Sequence, residues 1–235
     1  MKIIKVKGQD LSIPESWEET SILQWIELTK LLDNKYLNEE ELNIDMLSIL
    51  CTSTNYFKAD KDITEGTFMD VFETAKEEIS HLVSQIPIAV FNELMETTLN
   101  VFLVKAEGQD FDHFTIDGKD YAWINGYEKC TLNEVSTIKQ ALTIANKVDS
   151  SGKEGITRLL PIILRPAIEK LDAETGKTCW ELETLDTTNL EFRRLLLLHR
   201  LSPVQVVNNV RFFFNGLTKL KKPTPRYSKR KTKVK

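Results

Sequence analysis

The sequence has only three cysteines, Cys51, Cys130 and Cys179, far apart and with no C-x-x-C pair. That spacing excludes a disulfide framework and a zinc knuckle, and predicts three small buried hydrophobes in a reducing compartment. Nine glycines and seven prolines among 235 residues are too few for a collagen-like or low-complexity chain. No apolar run approaches the roughly 18 residues that a membrane span needs. Residues 1–10 interleave charges with Ile and Val, which reads as the absence of a secretory leader. Also missing are the glycine patterns that cradle phosphates or dinucleotides, a paired-histidine zinc motif and a nucleophile elbow.

What remains for chemistry is thin. The histidines, His81, His113 and His199, are scattered. His113 has Asp110, Asp112, Asp117 and Cys130 within a short distance in sequence, but that spacing matches no metal site and reads as a polar loop before a hairpin. Acidic pairs such as Glu18-Glu19 and Glu77-Glu78 could supply acid and base only if a pocket joined them. The expectation is a chain with no catalytic residue, no metal and no cofactor.

Charge is distributed unevenly. The formal net charge is −4, yet residues 219–235 hold nine Lys and Arg and no acid, which leaves 22 basic and 35 acidic residues elsewhere, a net of −13. An acidic body with a basic tail points to an electrostatic partner for the tail, or to a tail that folds back on its own body. Lys221, Lys222, Arg226, Lys229, Arg230 and Lys231 are the candidate contacts, with Tyr227 as one stacking surface among them. Phosphates are one such partner, bound with steep salt dependence and little base readout. The acidic body of a neighbouring copy is another.

Hydrophobic periodicity predicts a mainly α protein. Thr20 or Ser21 caps a helix carrying Ile22, Leu23, Trp25, Ile26, Leu31 and Leu32, and Asn38 with the acids after it starts a second. Phe68, Val71, Phe72, Ala75, Ile79 and Leu82 line one face of a third helix over about 67–83. A fourth follows Pro87 over about 88–103. Thr131 and Glu134 form a capping box for a helix to about Lys147. Residues 149–155 read as an exposed loop. The apolar segment 156–164 should end near Arg165, because Pro166 disfavours the helical region there. Residues 169–185 are mixed, with a loop near Thr175-Gly176. Residues 189–201 include four consecutive leucines, which predicts a helix wrapped by neighbours. Ser202-Pro203 starts the last helix, whose stripe runs from Val206 to Leu220 with Phe212 off it, either packed against another element or a further candidate contact.

The β content is expected to be small. Lys2 to Lys7 alternates as a strand ending at Gly8, and Phe114–Trp123 is a hairpin around Asp117-Gly118. The two are expected to share one small antiparallel sheet. The domain reading is one helical unit over 1–218 and a basic extended tail over 219–235.

Three stretches carry a resemblance. Ile13-Pro14-Glu15-Ser16-Trp17-Glu18-Glu19-Thr20, running on to Gln24, resembles an opening P-x-x-W-x-x-(L/x)-T-x-x-Q. Leu160-Pro161-Ile162-Ile163-Leu164-Arg165-Pro166 resembles a mid-chain L-x-x-(I/L)-L-(Y/x)-R-P, with Leu164 where Tyr is usual. Arg211-Phe212-Phe213-Phe214-Asn215-Gly216-Leu217 is similar to a C-terminal aromatic helix. All three are features of small helical virion-morphogenesis proteins of tailed bacteriophages, either tail-assembly chaperones or virion structural components. The resemblance implies a non-enzymatic role through protein–protein contacts, with other phage structural proteins as partners and no membrane. A homo-oligomer and nonspecific DNA contact by the tail are further partner expectations. The location implied is the host cytoplasm during assembly, and the virion for a structural component. It brings no catalytic residues. Trp17, Phe212 and the tail are the contact candidates, and Trp17 could instead pack on the first helix.

Overall fold

The computed structural model describes residues 1–33, 38–52, 65–102, 108, 111–124, 126, 129–148, 153–173 and 176–220. Helix takes up 61% of them. In chain order they form β1 (Lys2–Val6), β2 (Gln9–Ile13), a 3-10 turn (Trp17–Glu19), α1 (Ile22–Leu32), α2 (Glu39–Cys51), α3 (Glu65–Val83), α4 (Ile88–Phe102), β3 (His113–Ile116), β4 (Lys119–Trp123), α5 (Leu132–Val148), α6 (Lys153–Ile163), β5 (Leu164–Leu171), β6 (Thr178–Leu182), a 3-10 turn (Thr187–Asn189), α7 (Leu190–Arg200) and α8 (Pro203–Leu220).

The helix starts follow from local chemistry. The Ser21 hydroxyl accepts from the N–H of Gln24 while the Gln24 side chain takes the Ser21 N–H, closing a capping box on α1. Asn38 with Glu41, and Thr131 with Glu134, repeat it on α2 and α5. Each box satisfies donors that the first helical turn leaves open. Ser202 N–H donates to the Gln205 side chain at 2.8 Å at the start of α8.

The β elements differ from expectation. β1 does not join the central hairpin; it pairs antiparallel with β2, from Lys2 opposite Ile13 to Val6 opposite Gln9. Two separate sheets result: β1-β2, and a four-stranded β3-β4-β5-β6. Both tight hairpins turn on a non-glycine followed by glycine at positive φ, Lys7-Gly8 (47° and 85°) and Asp117-Gly118 (48° and 77°). That geometry matches the strand twist, so β1 closes locally on β2 before it can reach a distant partner. Residues 169–185, read as mixed, complete β5 and supply β6, with Gly176 at φ 65° between them.

Helix α6 ends at Ile163, as Pro166 requires, and the chain passes directly into β5. Pro166 sits opposite Tyr121 of β4, and its carbonyl accepts the Glu183 N–H at 2.8 Å. The β5-β6 ladder begins one residue later, at Ala167, so the missing proline N–H falls at the ladder's end, where a central strand tolerates it. Lys153, Glu154 and Gly155 belong to α6, not to a loop, and Gly155 is buried.

Two apolar clusters form the interior. The first gathers α1 (Ile22, Leu23, Ile26), α3 (Phe68, Phe72), the face of β3-β4 with Phe114, Ile116 and Tyr121, and α5 to α8. Leu195, Leu196, Leu197 and Leu198 are all buried in it, as a helix wrapped on all sides requires. The second joins β1-β2, α2, the end of α3 and α4, with Leu28 on the opposite side of α1. Val71 is an exception to the periodic reading of α3: it is about half exposed.

Candidate interaction surfaces and the residues behind them

The opening motif is built into the fold. Gln24 is buried, and beyond its capping bond its side-chain NH2 points at the carbonyls of Ile49, Leu50 and Thr52, at 3.0–3.1 Å. One amide thereby starts α1 and serves carbonyls at the end of α2, of which that of Ile49 also accepts the Thr52 N–H. Trp17 is half-buried, with its ring edge-on to Phe102 at 4.8 Å. Its inward packing is toward α4 and the second cluster.

The mid-chain motif is equally internal. Arg165 points from β5 to Glu134 at the start of α5, Nη2 to Oε1 at 2.6 Å, with side chains only 5% and 7% exposed. The other Glu134 oxygen accepts the Thr131 N–H. Nε of Arg165 finds no acceptor among the described residues. Pro161 interrupts the hydrogen-bond ladder of α6, and two buried arginines of α7 address that region. Arg193 reaches the Pro161 carbonyl and Arg194 the Thr157 hydroxyl, both at 3.5 Å, while Glu191 grips Arg194. In the third stretch Phe213 is buried in the first cluster. Phe212 lies in α8, and its side chain is outside the described residues.

Lys219 and Leu220 belong to α8, so the helix runs two residues into the stretch assigned to the tail. Lys221, Lys222, Arg226, Tyr227, Lys229, Arg230 and Lys231 lie outside the described residues.

The His113 ring stacks on Trp180 of β6 at 4.5 Å. Among the described residues no group of three or more His, Cys, Asp or Glu could hold a metal ion; Asp110 lies outside them. His199 is buried on α7 against Phe68, and burial, with Arg200 beside it, pushes its pKa down to about 4. Only Cys51 of the three thiols is buried, and burial pushes its pKa up to about 12; Cys130 is half-exposed and Cys179 exposed. The prediction of three buried thiols holds at Cys51 alone; Cys130 is only partly buried, and Cys179 sits in β6, beyond the packed part of the sheet.

That outer part of the sheet is a surface the sequence reading missed. β5 is buried from Leu164 to Ala167 and exposed from Ile168 to Leu171. Its outer half and β6 form a two-stranded arm, with Ile168 opposite Glu181 and Leu171 opposite Thr178. Ile168 is 63% and Leu171 73% exposed, on opposite faces of the arm. The available signal was the pair of β-rich stretches flanking Gly176.

Grooves also indent the described surface. One, of about 170 Å³, lies between α5, α6 and α7, where Ala141, Ile144, Ile162 and Leu190 meet Arg158 and Arg194. Another, of about 350 Å³, has an apolar floor of Ile44, Val83, Ile86 and Phe91, a wall at Ile88, and Glu39 and Glu40 at its rim. No helix among the described residues is long and apolar enough to cross a membrane. No family model matches the chain, and neither a curated protein nor a solved structure does.

Proposed function

We propose that this chain is a non-enzymatic assembly protein of a tailed bacteriophage, acting through protein–protein contacts as a tail-assembly chaperone or a virion structural component. Its three motif stretches come in the order that the resemblance requires. The observation that carries the contact role is the β5-β6 arm. A two-stranded ribbon is marginal in water on its own, and this one leaves Ile168 and Leu171 uncovered on its two faces. Burying both against a partner removes apolar surface that folding alone has left wet.

The test is mass spectrometry of purified particles and assembly intermediates from the phage that encodes the chain, with wild-type protein and an Ile168→Asp/Leu171→Asp variant. The wild type should co-purify, with mature particles as a structural component or with unfinished tails as a chaperone. The variant should stay folded and be depleted from both. A wild-type chain that associates with no particle and no intermediate ends this reading.

The nine cations of residues 219–235 favour a second reading, a nucleic-acid-binding module. Deleting that stretch should then abolish duplex binding, and added salt should weaken it steeply.

A further inference from the structure

The apolar-floored groove between α2, the end of α3 and the start of α4 has a pronounced electrostatic setting. Helix α2 holds four acids and no base, α3 five acids and Lys76, and α4 two acids and no base. These three helices therefore carry a net of −10, most of the negative charge of the body. Among the described residues, no Lys or Arg lines the groove. Glu73 and Glu93 are ion-paired, to Lys76 and Lys2, but Glu39 and Glu40 at the rim make no ion pair among the described residues. Ile88 stands 73% exposed at its edge.

Beyond Leu220 the chain continues for fifteen residues with eight Lys and Arg and no acid. Pro223, Pro225 and Tyr227 are interspersed among these cations. The groove asks for an occupant with apolar side chains for its floor and cations for its rim, and this segment has both. We propose that the groove receives residues 221–235 of a neighbouring copy. The donor is placed on the neighbouring copy because α8 is anchored in the first cluster, whereas the groove is floored by the second. Val206, Val210 and Phe213 of α8 are buried in the first cluster, whereas Ile44, Val83, Ile86 and Phe91 all belong to the second. A tail-in-groove contact closes as a dimer if two copies exchange tails, and otherwise runs on into a ring or a filament.

The experiment uses full-length chains. Sedimentation velocity should show association at low ionic strength (about 0.05 M) that is lost at about 0.5 M, because exposed charge pairs are screened. Glu39→Lys/Glu40→Lys should raise the dissociation constant by about tenfold or more, since like charges then face each other across the contact. Reversing Lys221, Lys222 and Arg226 to Glu should do the same. A chain carrying both reversals should associate again, which rules out misfolding as the cause of the single losses, as unchanged circular dichroism also would. Cross-links from the tail to α2 should join isotopically distinct chains. A chain that stays monomeric at low salt overturns the proposal. So do association indifferent to Glu39 and Glu40, cross-links confined to one chain, and a monomer whose tail engages only an added DNA duplex.

Discussion

Replacing Glu134 with alanine removes the one carboxylate that pairs with Arg165 among the described residues, and the structure sets the expected size of the loss. Both side chains are more than nine-tenths buried at an Nη2–Oε1 distance of 2.6 Å. Breaking such a pair from one side leaves an uncompensated charge and costs about 3–5 kcal/mol. Glu134 also accepts the Thr131 N–H, so the variant forfeits half of a capping box, a feature in which each contact is worth about 1 kcal/mol. The two losses share one side chain and will not add fully, so about 4 kcal/mol is expected. For a chain of this size that is a fall in Tm of roughly 8–16 °C. Glu134→Gln keeps an acceptor for Thr131 and a neutral one for Arg165, and should cost about 2 kcal/mol. Arg165→Met on the Glu134→Gln background removes the stranded cation and should recover at least about 1 kcal/mol. Urea unfolding followed by circular dichroism reads all three. If Glu134→Ala costs under about 1 kcal/mol, or if the Arg165 and Glu134 substitutions add without coupling, the buried pair is not the strut between β5 and α5 that its geometry implies.

Gln24→Glu places a carboxylate against the three carbonyls that Gln24 now donates to, and should destabilise by about 3 kcal/mol, more than Gln24→Ala, in the same unfolding assay. His199 is held neutral in the folded chain, with its pKa lowered from 6.5 to about 4, while the unfolded chain binds a proton near 6.5. Its contribution to stability is therefore complete above pH 6.5 and is lost as pH falls toward 4, by up to about 3 kcal/mol; unfolding curves for His199→Met should show a shallower decline over that window. Thiol labelling of the native protein should be fast at Cys179, slower at Cys130 and absent at Cys51 until the chain unfolds. Equal rates at all three would contradict the burial described.

How much of this was legible depended on the range of the interactions involved. Helix starts were readable because a cap and its partner lie three residues apart: Ser21-Gln24, Asn38-Glu41 and Thr131-Glu134 each close a box within one turn. The Asp117-Gly118 turn was readable for the same reason. Sheet assembly was not, since pairing depends on partners chosen across the chain. The period-2 pattern of Lys2–Val6 announces a strand but not that β2 will capture it. Residues 178–182 read as mixed because β6 pairs on one edge only and buries little, so its alternation is weak.

The same reasoning explains why the interaction surfaces were harder to find than the motifs. Pro14, Gln24, Arg165 and Phe213 stand out in the sequence because each is an unusual residue for its place, and three of them hold unusual internal positions: an amide clasping a helix end, a buried guanidinium, an aromatic ring in the core. Their conspicuousness comes from the architecture. A docking surface needs no rare residue. Ile168 and Leu171 are ordinary strand residues whose exposure becomes visible only when β5 outruns the helices that cover its first half. Glu39 and Glu40 are ordinary acids at a helix start, favourable to the α2 dipole in any case, and become a rim only because Ile44, Val83, Ile86 and Phe91 form a floor beside them. The basic tail was conspicuous from composition alone, but a surface with the matching apolar floor and negative charge required α2, α3 and α4 to be brought together. Charge asymmetry names the chemistry of a contact; the fold determines where that chemistry can act.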